Sequence, residues 1–199
     1  MKYRWVCILL IFWLAGTGSV LGKDMSECWS VFLELGNWQP HSLNDEPRFS
    51  SFGAAGATPY VSFGGYIPIF SELGLKISIG YWSVRELDEI ESVHSLVLHP
   101  VHFDLKHWLV PDSRLAAYVI YGGCMYWGVE NESDPFGERL QKARLGWGVN
   151  LGAGFDLALF RNFGIGMTFH YHLSRFSHPL GGVDDFSGPK IGIESHFFF

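Results

Sequence analysis

A strict alternation of apolar residues with small or polar ones limits what this chain can fold into. It is clearest over residues 145–159, where every odd position is apolar and the even positions are glycine, alanine, asparagine or aspartate. A period of two puts one set of side chains on each face of a β-strand. Residues 163–174 repeat the pattern after a connection centred on Arg161 and Asn162, which predicts a tight hairpin between the two strands.

The alternation recurs along the rest of the chain after its first two dozen residues. It predicts eight strands, at residues 29–37, 58–70, 73–84, 93–106, 115–129, 145–159, 163–174 and 190–199. The connections at residues 71–72, 109–114 and 161–162 are short, whereas those at 39–57, 85–92, 130–141 and 175–189 are longer and more polar. An even number of strands joined by short turns at one end and long loops at the other is typical of outer-membrane barrels. The sequence therefore predicts an all-β fold, an eight-stranded antiparallel up-and-down transmembrane β-barrel.

The aromatic residues support this prediction. They make up 17% of the chain, as many as the charged residues. On the outward faces of the predicted strands they form one group near the loop ends and one near the turn ends: Tyr81, Trp127, Trp147 and Tyr171, then Trp29, Phe163 and Phe199. Two such groups are expected at the two interfaces of a membrane. Pro68 and Pro100 fit less well because proline removes a ladder donor. A bulge, or a fourth strand that ends near Leu98, would accommodate Pro100.

The N-terminal segment has the features of a secretory signal peptide. Lys2 and Arg4 precede an apolar run from residue 5 to 15, and small residues follow up to Gly22. We therefore predict a cleaved signal at residues 1–22 and one barrel domain at residues 23–199. The net charge of −6 disfavours nucleic acid as a partner. Two cysteines remain, Cys28 and Cys124, and the sequence leaves open whether they pair.

The last ten residues resemble the closing strand of bacterial outer-membrane β-barrel proteins. Phe199 ends the chain, Phe197 and Ile193 share its phase, and Ser195 departs from it as a polar residue in an outward position. The resemblance implies that this strand is the signal read by the barrel-assembly machinery. The whole predicted domain is similar, more loosely, to the OmpA transmembrane domain and the OmpX and OmpW groups. This similarity implies an outer-membrane location, with membrane lipid and lipopolysaccharide as partners. The short turns at one end of the strands then place both termini in the periplasm.

The predicted inward face carries an ionic network. Its members are Glu34, Lys76, Asp104, Lys106, Asp156, Glu194 and His196. An eight-stranded barrel has an interior that side chains fill, so these charges are expected to pair and block the lumen. We therefore predict a structural or surface-interaction role, with the external loops as a contact surface for an unknown extracellular ligand. A narrow pore for small solutes or ions is the alternative.

A second alternative is enzymatic. His172 and Ser174, followed by Asp184 and Asp185, resemble the His-x-Ser pair of the lipid A deacylases. This chain departs from that family with Arg175 after the serine, with aspartate as the acid, and with an inward-facing pair, so no enzymatic activity is predicted. Four histidines at residues 94, 99, 102 and 107 are irregularly spaced and split between the faces, and no metal site or cofactor is predicted.

Overall fold

A computed structural model describes residues 25–49, 58–87, 93–109, 114–133 and 139–199, so the predicted signal peptide lies outside the described residues. Nine strand segments and three short 3-10 helices make up the described part. The strands are β1 (Ser30–Trp38), β2 (Thr58–Phe70), β3 (Leu73–Leu87), β4 (Val93–Trp108), β5 (Leu115–Ser133), β6 (Arg139–Phe160), β7 (Phe163–Leu180), β8 (Val183–Asp185) and β9 (Gly188–Phe198). The helices are Met25–Glu27, His41–Asp45 and Pro47–Phe49. Among the described residues, none of these helices is long and apolar enough to cross a membrane.

Eight of the strands form a closed ring. Each of β1 to β6 pairs antiparallel with the strand that follows it, and β7 pairs with β9. β9 pairs with β1 over nine residue pairs, from Ser30↔Phe198 to Trp38↔Lys190, which closes the ring. Closure satisfies the backbone hydrogen bonds of every strand within the wall and removes the free sheet edges that a membrane does not tolerate. The predicted eight-stranded barrel is confirmed.

Four strands, β3, β5, β6 and β7, reach at least three residues further than predicted at the loop end. β5 and β6 stay paired as far as Ser133↔Arg139, and β7 continues to Leu180, where a turn at Gly181 and Gly182 leads into β8. Both glycines have positive φ, 61° and 86°, a conformation that glycine adopts without steric cost. The prediction that residues 175–189 form one loop is therefore wrong. In the β7 extension the outward positions become polar at Arg175 and Ser177, whereas Phe176 and Leu180 are buried on the inward side, so the apolar-outward pattern ends although the ladder continues.

The two prolines lie inside strands. Pro100 is within β4 and faces Tyr126 of β5, and the β3–β4 ladder is interrupted opposite it, between Ile79↔Val101 and Trp82↔Leu98. The expectation that the fourth strand ends near Leu98 is thus wrong, because the interruption absorbs the missing donor. Pro68 lies next to a register shift in the β2–β3 ladder.

The outer wall is apolar. Its aromatic groups include Trp127 and Trp147 near the loop end, 58% and 65% exposed, and Phe199 near the turn end, 71% exposed. Large apolar side chains that face outward in such numbers would be unfavourable in water, and they fit contact with lipid.

Two apolar clusters fill the ends of the barrel. The cap, at the loop end, comprises Trp38, Leu43, Phe49, Tyr60, Trp82, Val84, Leu96, Leu98, Cys124, Tyr126, Phe176, Leu180 and Phe186. The base, at the turn end, comprises Met25, Cys28, Tyr66, Trp108, Ala116, Tyr118, Ile120 and Phe198. The polar lumen lies between them.

Candidate functional site: the ionic layer of the lumen

The structure places all seven predicted network residues inside the barrel. Each of them is at most 3% exposed, since its strand position points it away from the apolar outer wall. Lys190 joins them, also buried, and was not predicted. It has the same parity as Glu194 and His196 on β9, a signal that could have identified it. We call these eight residues the ionic layer.

Two ion pairs join β9 to other strands, one to its neighbour β1 and one to β3. Lys190 Nζ on β9 lies 2.8 Å from Glu34 Oε1 on β1, and it donates a hydrogen bond to Glu34 Oε2 at 3.0 Å. Ser62 Oγ on β2 donates to the same Oε2 at 2.8 Å. Lys76 on β3 forms a buried ion pair with Glu194 on β9. Carboxylates removed from water are tolerated when paired and hydrogen-bonded in this way.

A third ion pair joins β4 and β6. Lys106 Nζ lies 2.5 Å from Asp156 Oδ2. His196 Nε2 lies between two carboxylates, 3.4 Å from Asp156 Oδ1 and 3.1 Å from Glu194 Oε2. Neither approach is an aligned hydrogen bond, and both are ionic only when His196 is protonated. His196 therefore connects the Lys106–Asp156 pair with the Lys76–Glu194 pair.

The three lysines also lie over aromatic rings. Lys106 Nζ is 3.8 Å from the ring centroid of Tyr118 and 4.1 Å from that of Trp108. Lys76 Nζ lies 4.2 Å from the ring of Phe32, and Lys190 Nζ lies 4.3 Å from that of Tyr60. A ring face attracts a cation and replaces part of its lost hydration.

Asp104 is the member of the ionic layer without a lysine partner in the described part of the chain. Its Oδ1 accepts a hydrogen bond of 3.0 Å from Asn150 Nδ2, which also lies 3.1 Å from His102 Nδ1. The layer thus holds four carboxylates against three lysines and His196, so a protonated His196 would make it neutral. These paired groups, with the cap above and the base below, close the lumen among the described residues.

The predicted assembly residues lie on the outside of the seam strand. Phe199, Phe197 and Ile193 face outward, and the Phe199 amide donates to the Trp29 carbonyl at 2.9 Å. Ser195, the polar exception, donates from Oγ to the Leu33 carbonyl of β1 at 3.4 Å. The structure describes their position, and the assembly role stays a prediction.

The His172–Ser174 pair faces the lumen and not the lipid. Both residues are buried, and the hydrogen bond of His172 Nδ1 goes to the Tyr126 hydroxyl at 3.2 Å. Asp185 Oδ1 accepts from the Ser187 amide at 2.8 Å. A triad needs serine, histidine and acid in hydrogen-bonded sequence at the substrate, and the described contacts do not supply one. Cys28 lies in the base and Cys124 in the cap, and the two do not form a disulfide with each other.

No family model and no curated protein matches this sequence. Solved structures do. A major outer membrane protein from Thermus thermophilus superposes with a TM-score of 0.59 at 11% identity, over 86% of this chain and 98% of that one. This chain has the fold of the small eight-stranded outer-membrane β-barrels. Neisserial surface protein A (NspA) matches with a TM-score of 0.52 at 10% identity, over 89% of this chain and 100% of that one. The N-terminal β-barrel domain of Pseudomonas aeruginosa OprF matches with 0.52 at 15% identity, over 85% and 97%.

Proposed function

We propose that this protein is a closed outer-membrane barrel that does not conduct and that presents its loops to the exterior as a contact surface. The observation that carries this proposal is the sealed lumen. The ionic layer is at most 3% exposed, and an apolar cluster covers it at each end. An ion that crossed would have to displace paired charges and move apolar side chains at both ends.

The cap also ties two loop segments to the mouth of the barrel. Leu43 and Phe49, from the connection after β1, are buried in it together with Phe186 from the connection before β9. Backbone hydrogen bonds hold the two connections to each other, from His41 N to the Ser187 carbonyl at 2.9 Å and from Gln39 N to the Pro189 carbonyl at 3.0 Å. These loop segments are held as a surface over the mouth, which suits contact with a partner outside the cell.

The partners follow from the two other surfaces. The apolar outer wall would contact membrane lipid and lipopolysaccharide, and the aromatic C-terminus would be read by the barrel-assembly machinery. With the cap outside, both ends of the chain are periplasmic.

Conductance tests the closed lumen. The full chain, refolded into detergent, is first checked for a heat-dependent shift on an unheated gel, since a closed barrel resists detergent. It is then added to planar bilayers, where we expect silence. Reproducible channel steps whose size changes in Lys76→Gln would overturn the proposal in favour of the narrow pore.

Labelling tests the orientation. The two native thiols outside the signal are buried, so a new cysteine can be read against a low background. In intact cells a membrane-impermeant maleimide should label Asn131→Cys at the loop end and leave Glu72→Cys at the turn end unlabelled. The opposite pattern would contradict the proposed orientation.

A further inference from the structure

Three side chains of metal-ligating types meet in the lumen at the inner side of the cap, to which Cys124 belongs. They come from three strands, His102 on β4, Cys124 on β5 and His172 on β7, and all three are buried. One ring nitrogen of each histidine and the cysteine Sγ lie within 4.8 Å of one another. None of the three takes part in the ion pairs of the ionic layer, so a closed barrel does not by itself explain why they are together.

The wall is shaped so that these side chains can approach. His102 and Cys124 are direct partners across the β4–β5 ladder. β6 lies between β5 and β7, and its residue beside the cluster is Gly148. A methyl group there would come within 3.0 Å of Cys124 Sγ and 2.9 Å of Ser174 Cβ. Because Gly148 has no side chain, residues of β5 and β7 meet across it.

The histidines keep nitrogens without a partner in a fully enclosed place. Nε2 of His102 and Nε2 of His172 have no hydrogen-bond partner in the part of the chain that the structure describes. The other nitrogen of each ring is held, that of His102 by Asn150 at 3.1 Å and that of His172 by Tyr126 at 3.2 Å. A buried polar atom left unpaired is costly, whereas a ring oriented through one nitrogen with the other free is the usual arrangement of a metal ligand.

A second group of similar composition does not have this character. Asp156, Glu194 and His196 also converge, but both carboxylates already pair with lysines, Lys106 and Lys76. A metal ion would have to displace two buried ammonium groups. Within the described ranges no lysine forms an ion pair with the three-strand cluster, and the hydrogen bond of its thiol is to the Tyr126 hydroxyl, at 3.0 Å.

We propose that His102, Cys124 and His172 bind one thiophilic transition-metal ion of the Zn²⁺ or Cu⁺ class. Two imidazoles and a thiolate are the ligands that such ions prefer over Mg²⁺ or Ca²⁺. On binding, the Cys124 thiol loses its proton to solvent and its sulfur bonds to the metal. The ion joins β4, β5 and β7 across the lumen. Because the cap and the base enclose the site, the metal enters while the barrel folds.

Metal content after refolding tests this. The full chain is refolded with Zn²⁺, or with Cu⁺ under reducing conditions, passed over a chelating resin, and measured by elemental analysis. We expect about one ion per chain for either metal, as a single mononuclear site requires. Cys124→Ser and His172→Gln should fall to near zero. Cys28→Ser and His99→Gln are the controls, a buried thiol in the base and an outward histidine on β4, and both should retain the metal.

A second measurement covers variants that fail to fold. Wild type and Cys28→Ser refolded with Co²⁺ should both show a sulfur-to-cobalt charge-transfer band, which requires a thiolate ligand. The Cys7→Ser/Cys28→Ser double variant, in which Cys124 is the remaining cysteine, should keep the band. Any of three results would overturn the proposal. They are a wild type that keeps no metal, an unchanged metal content in folded Cys124→Ser, and loss of the band in folded Cys28→Ser. None of these results depends on whether the barrel conducts, so this test and that of the proposed function fail separately.

Discussion

Removing one charge from the ionic layer should destabilise the barrel strongly, and Lys106→Met isolates the effect. Lys106 and Asp156 are 2% and 1% exposed with 2.5 Å between Nζ and Oδ2. Methionine keeps most of the aliphatic volume, so the cost is electrostatic. It leaves Asp156 with His196 at 3.4 Å and removes the cation from Trp108 and Tyr118. Loss of one partner from a buried pair costs about 3–5 kcal/mol, and we expect the free energy of unfolding to fall by that amount.

The assay is urea unfolding in lipid vesicles, followed by tryptophan fluorescence. Adding Asp156→Asn to Lys106→Met removes the orphaned charge, so the double variant should be more stable than the single one. Lys142→Met changes an exposed lysine on β6 and should shift stability by less than about 0.5 kcal/mol. A cost below about 1 kcal/mol for Lys106→Met, or a double variant less stable than the single one, would refute the reasoning.

Three further changes test the seam, the wall and the cap. Phe199→Ala should lower the fraction of heat-modifiable barrel recovered from the outer membrane, whereas Phe160→Ala, also an exposed aromatic near a turn, should not; equal recovery would contradict the assembly role. A methyl group at Gly36 would collide with backbone atoms of β9, whereas at Gly65 it would meet only a carbonyl at 3.5 Å. Gly36→Ala should therefore cost about 1–3 kcal/mol in urea unfolding and Gly65→Ala much less, and similar costs would contradict the described packing. Trp38→Ala empties part of the cap and should cost about 3–5 kcal/mol, yet bilayers should stay silent because the ionic layer still closes the lumen; new conductance would show that the cap alone is the seal.

The fold could be predicted because the strands of a barrel in lipid alternate between apolar outward residues and small or polar inward residues. Apolar residues face out at every second position, and so the inward charges, Asp156 or Glu194 for example, are identified by parity alone. The odd or even position of a residue along its strand does not predict which strands face each other across the lumen. The pairing of Lys106 with Asp156, 50 positions away, depends on strand tilt and side-chain reach and became known only from the structure.

The same limit hid the three-strand cluster. Its ligands are 22 and 48 residues apart along the chain, at positions 102, 124 and 172, and no local spacing connects them. The histidines that are near one another in sequence lie on β4 and point to opposite sides of the wall. Loop-end strand extensions were missed for a related reason, since outside the lipid the outward face of β7 becomes polar at Arg175 and the alternation ends.

Pairing of strand β9 with the rest of the sheet determines when the charges of the ionic layer are paired. β9 carries Lys190, Glu194 and His196, and it alone supplies the described ion-pair partners of Glu34 and Lys76. A sheet that lacks β9 would hold a bare carboxylate on β1 and a bare ammonium on β3, neither of which an apolar interior accommodates. Joining β9 to β1 therefore completes the wall and neutralises its interior in the same step, so a truncated chain lacks both.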